Sequence, residues 1–213
     1  MVFCIENENQ IRVRITKPRS RENLKKITKQ IREKLGIDRN QLFVNILYCL
    51  EILIPKLDCN FHYEIFEKTI NTSKEASFSP KKNCIYIRSD VYEKALDEDG
   101  RARFTIAHEI AHYFLFQILG IPYFEDWEKV MYYSAPKLHS IDPEWQADVV
   151  ANYLLCEPDC IKNLSEEDIA FHCGVSNSAA YTALQNANGH KYFDYSSIFK
   201  NKSFSVCIKE YSN

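Results

Sequence analysis

The stretch Arg101–Leu119, reading R-A-R-F-T-I-A-H-E-I-A-H-Y-F-L-F-Q-I-L, constrains the fold more than any other part of the chain. Phe104, Ile106, Ala107, Ile110, Ala111, Phe114, Leu115, Ile118 and Leu119 are apolar at three-and-four spacing, nearly all round a helical cylinder. Asp97 and Asp99 precede the run as N-cap candidates, Gly120 stands where a C′ residue belongs, and Pro122 forbids continuation. A helix apolar on most faces is buried, so His108, Glu109 and His112 within it need a physical reason. Residues four apart stand one turn above each other, which aims both imidazoles at one spot with Glu109 on the neighbouring edge.

Composition narrows the setting. At 213 residues the chain suits one compact domain with a small appendage. A net charge of −2 sets up no general field for nucleic acid or an acidic membrane. Met1–Gln10 lacks the basic segment and apolar core of a signal peptide. The apolar run Leu42–Ile54 carries Asn45 and Glu51 and stops at Pro55, too short to span a bilayer. A soluble, cytoplasmic protein is expected. The 8 cysteines are irregularly spaced without a C-x-x-C pair, and Pro158 separates Cys156 from Cys160, so buried reduced thiols are expected.

Taken in order, Ile11, Val13 and Ile15 alternate as a short strand. Ser20 caps a helix through Leu35, ended by Gly36, and its many Lys and Arg residues suit a solvated face. Asp38 is expected to cap a second, apolar helix to about Ile54. From Asn60 the period changes to two: Phe61–Phe66 reads as a strand, and Ala76–Ser79 pairs with Cys84–Arg88 through the turn Pro80–Asn83. A small, mainly antiparallel sheet is therefore expected before the Arg101–Leu119 helix, with a short helix over Asp90–Leu96 between them. His62, alone in its strand, reads as structural. Ser165 and Ser176 each cap a short helix about the turn Gly174-Val175-Ser176, and Phe204, Val206 and Ile208 suggest a closing strand. The second short helix offers Asn177, Ser178, Tyr181, Thr182, Gln185 and Asn186 but no positive charge, so direct DNA binding is not expected.

Two imidazoles and a non-ligating glutamate make half of a zinc hydrolase site, with the glutamate as general base. A catalytic zinc needs a third protein ligand. Leu115 and Ile118 stand where a metzincin has glycine and a third histidine, which excludes that class. Asp142 and Pro143 form a strong helix start, and Glu144 and Asp148 follow one turn apart on one face. Taken alone, the pair equally suits an acidic first turn favoured by the helix dipole. Beside H-E-x-x-H, Glu144 becomes the third ligand, and Asp148 the acceptor that fixes the tautomer of a zinc-binding histidine. Tyr132, Tyr133 and His139 in the connecting loop are oxyanion-donor candidates.

The run Asp99-Gly100-Arg101-Ala102-Arg103-Phe104-Thr105-Ile106-Ala107-His108-Glu109-Ile110-Ala111-His112 resembles the D-G-R-x-R-F-T-I-A-H-E-x-x-H of the ImmA/IrrE-type metallopeptidases. Glu144-x-x-Ala147-Asp148-x-x-Ala151-x-x-Leu154-Leu155 resembles that family's second motif, and Ile169–Ala179 its helix-turn-helix-like tail. Asn152 and Cys156 depart from the phenylalanine and methionine usual there, and the proline is displaced to Pro158. These matches cover roughly residues 83–185, and the resemblance implies a zincin-like fold. The expected architecture is α+β, a metallopeptidase domain over residues 1–160 with its small antiparallel sheet packed on helices, and a small helical extension, 161–213, packed on the same core. The resemblance also implies zinc, with manganese as the alternative metal, and endopeptidase action on a protein substrate. It further implies that the substrate is a helix-turn-helix transcriptional repressor, as at mobile elements. The competing reading is a non-catalytic regulator that binds DNA or a repressor.

Overall fold

The computed structural model describes residues 16–69, 73–120, 140 and 142–188. The architecture is mixed α+β, mostly helical, with one small sheet. Helix α1 (Arg21–Lys34) starts at Ser20, whose hydroxyl accepts from Asn23 N, and stops before Gly36 at φ +68°, a conformation glycine adopts without penalty. Leu24 and Ile31 turn its apolar face into the core.

The second helix differs from the sequence expectation at both ends. It begins not after Asp38 but at Asn45, whose side chain accepts from Tyr48 N. The Arg32 guanidinium explains the delay: it takes the carbonyls of Asp38 and Gln41, while the Asp38 carboxylate folds back onto Asn40 N. Helix α2 runs through Ile46–Tyr48, a π turn at Cys49–Leu53, and Ile54–Leu57, so Pro55 does not end it. The π turn lies just before Pro55, whose ring collides with the carbonyl four residues back in a regular helix.

Strands β1 (His62–Phe66), β2 (Ala76–Ser79) and β3 (Cys84–Arg88) form a sheet of order β1-β3-β2. β2 and β3 are the expected antiparallel hairpin, but β1 runs parallel to β3, so the sheet is mixed. The alternation that identifies a strand is blind to its direction, and that is why the parallel run of β1 was not readable. The inner face carries Phe78, Ile85 and Ile87. Phe61 and Phe78 meet the buried Tyr113 ring edge-on at 4.8 and 5.8 Å.

Helix α3 (Ser89–Leu96) leads into α4 (Gly100–Tyr113), which continues as a π turn over Phe114–Ile118. Asp99 is the N-cap, accepting from Ala102 N at 2.8 Å, and Gly120 has φ +59°. After α4 come α5 (Pro143–Leu155), α6 (Pro158–Ile161), α7 (Glu166–Cys173) and α8 (Asn177–Ala187). The turn between α7 and α8 rests on the start of α4. A Cβ at Gly100 would lie 2.5 Å from Ser176 N, and the buried Arg103 guanidinium donates to the carbonyls of Val44 and Cys173 while stacking 4.1 Å over Phe43. Ile169, Cys173, Ala180 and Ala183 share one hydrophobic cluster with α1, α2, α4 and α5. Among the described residues no helix is long and apolar enough to cross a membrane. The strands expected near residues 11–15 and 191–211 lie outside the described residues.

Candidate metal centre

Two helices build the site. On α4, His108 and His112 lie one turn apart with ring centroids at 4.6 Å. On α5, Glu144 occupies the first turn, set there by Asp142, whose carboxylate accepts from Glu144 N at 2.9 Å. Both helices bury alanines four apart, Ala107 and Ala111 on one and Ala147 and Ala151 on the other. Small side chains of this kind let two helix axes approach closely.

The three expected ligands converge. His108 Nε2 lies 3.0 Å from His112 Nε2 and 3.1 Å from Glu144 Oε2, and His112 Nε2 lies 3.2 Å from that same oxygen. Bonds of about 2.0–2.1 Å in a tetrahedral zinc site put ligand atoms roughly 3.3–3.4 Å apart, close to this triangle. A triangle of this size is poorly explained by protons alone. If both imidazoles were cations, two N–H groups would point at each other across 3.0 Å. These residues could hold a divalent cation.

Asp148 stands one turn after Glu144 and takes the other nitrogen of His108, Nδ1···Oδ1 2.8 Å, which leaves Nε2 to face the centre. Burial disfavours the His108 cation. The hydrogen bonds to Asp148 and Glu144 and the charges of Asp148 and Glu109 outweigh it and push the imidazole up to about 10. The same histidines hold the Glu144 carboxyl far below the usual carboxylate range.

Glu109 does not join the triangle. Its Oε2 accepts the backbone N–H of Phe78 on β2 at 2.7 Å. A cavity of about 310 Å³ opens beside this contact, lined among others by Lys74, Ala76, Phe78, Glu109, His112 and Glu144. Glu144 and Asp148 side chains are more than half exposed, so the centre opens to water.

Two contributors were missed from sequence. The Phe78 contact is a backbone group and leaves no mark in residue type. Gln146, buried, donates to the carbonyls of Lys17 and Ser140 and accepts from Arg19, anchoring the approach to α5. Its place on a helix face that also carries Ala147 and Val150 was the available signal. The oxyanion candidates Tyr132, Tyr133 and His139 lie outside the described residues. No protein-family model and no curated protein matches the chain.

Proposed function

We propose that the protein is a metal-dependent endopeptidase of zincin-like fold, acting in the cytoplasm. The observation that carries this reading is the triangle of His108 Nε2, His112 Nε2 and Glu144 Oε2, with sides of 3.0 to 3.2 Å, beside a carboxylate that is not part of it. Zinc suits two imidazoles and a carboxylate, with manganese as the alternative. The ion would supply Lewis acidity, polarising the scissile carbonyl and acidifying water. His108, His112 and Glu144 would hold it, and Asp148 would keep His108 in the ligating tautomer. Glu109 takes the proton of the attacking water as the C–O bond forms, and delivers it to the leaving amine as the C–N bond breaks.

The sheet supports an extended peptide as substrate. β2 is an edge strand, and in an antiparallel ladder alternate residues turn their peptide groups outward. Phe78, whose N–H reaches Glu109, marks that outward set and lies on the cavity wall. A chain pairing with this edge would lie along the centre. The resemblance of the two helical motifs adds the substrate class, a helix-turn-helix repressor. Free cysteines among the described residues fit a reducing compartment.

The rival reading, direct DNA recognition by α8, meets a steric obstacle. The N-terminus of a recognition helix enters the groove, whereas Ser176, the N-cap of α8, is packed on Gly100. The deciding experiment is co-expression of the enzyme with repressors encoded beside it, scored for cleavage against Glu109→Gln. Cleavage by the wild type alone supports the proposal. Equal cleavage by both removes the mechanism.

A further inference from the structure

The outer face of the sheet carries a second group of ligand-type side chains. His62 and Glu64, two apart on β1, share one face, and the parallel register sets Cys84 of β3 directly beside His62. The imidazole, carboxylate and thiol atoms all lie within 4.8 Å of one another. Phe78 and Ile85 mark the inner face against Tyr113, so Cys84, next in the chain to Ile85, faces away from the α4 centre. Cys84 is fully buried beneath the exposed His62 and Glu64. The enclosed Tyr86 hydroxyl has the Cys84 thiol and the Lys82 ammonium as its polar neighbours.

We propose that His62, Glu64 and Cys84 form a second cation site, for zinc or a metal of similar softness, that staples the edge strand β1 to the central strand. A nitrogen, oxygen and thiolate set suits zinc and is wrong for magnesium or calcium, which take oxygen alone. Tetrahedral bonding needs the atoms drawn in by about an ångström from their outer limit. His62 and Glu64 are exposed side chains, about half and more than half accessible, with room to close. Water would complete the fourth corner. This site is independent of the proposed catalysis, since His108, His112 and Glu144 all lie on α4 and α5 and none on β1.

Titration of the full, chelator-stripped chain with Co²⁺ tests it. The α4-centre ligands His108, His112 and Glu144 carry no sulfur, so a thiolate-to-cobalt charge-transfer band reports a cysteine site. Two equivalents and a near-ultraviolet band are expected. Cys84→Ser should remove the band and one equivalent, while His112→Ala should remove the other equivalent and keep the band. His62→Ala, a surface change that leaves folding intact, should weaken the band-forming site by more than about tenfold, since even an outer-shell loss costs that much. Absence of the band, or a band that survives both Cys84→Ser and His62→Ala, overturns the site. Loss of the sulfur-free equivalent alone would count against the peptidase reading and leave this one standing.

Discussion

In the proposed peptidase, binding and chemistry separate at Glu109, whose carboxylate touches the Phe78 N–H rather than the triangle of His108, His112 and Glu144. Glu109→Gln keeps the shape and should leave metal stoichiometry unchanged while kcat falls by about 10²–10⁴, the contribution of a general base. Single-turnover kinetics with metal analysis on the same sample reads both. At His108 the sign of the pH effect is fixed by the shift. Its folded value is pushed up to about 10, so the metal-free fold gains stability below the ordinary imidazole range and loses it as pH rises through about 10. A cation requires the neutral ring. Binding near neutral pH should therefore expel about one proton, and affinity should climb roughly tenfold per pH unit towards 10. Calorimetry in buffers of different ionisation enthalpy measures that proton, and a pH-independent affinity would contradict the assignment. Asp148→Asn should weaken metal binding about 10–100-fold without removing a ligand.

At the scale of elements, the starts of α4 and α5 set the site. Asp142→Ala removes the cap of the helix that presents Glu144 and should lower stability by about 1 kcal/mol. Gly100→Ala is the sharper test, because alanine is the better helix former and propensity alone forecasts stabilisation. The added Cβ would meet the backbone of Val175 and Ser176 at 2.5–2.8 Å. Destabilisation of about 1–3 kcal/mol is expected, read as a Tm fall of roughly 2–4 °C per kcal/mol for a chain of this size. Helix starts were legible because Ser20, Asp99, Asp142, Ser165 and Ser176 each carry their own capping oxygen. Asp38 misled for a related reason. Its side chain can serve a turn as readily as a cap, and the choice is made by Arg32, distant from any local pattern.

Across the molecule, the residues of the candidate centre could be named from spacing, since His108 with His112 and Glu144 with Asp148 each lie one helical turn apart. What brings the two pairs together is the crossing of α4 and α5, which rests on buried alanines that carry no chemical signature. Strand direction, the docking of Arg103 on Cys173 and the meeting of His62 with Cys84 all depend on partners distant in sequence. Removal of bound metal should lower the Tm of the whole chain, because a ligand present at 100–1,000 times its Kd stabilises the fold by about 2.7–4.1 kcal/mol. The most direct test is anomalous diffraction at the zinc edge from crystals grown with zinc. A peak is expected about 2.0–2.1 Å from His108 Nε2, His112 Nε2 and Glu144 Oε2 together. No peak between α4 and α5, or one from which the Glu144 carboxylate is turned away, would contradict the proposed metal centre.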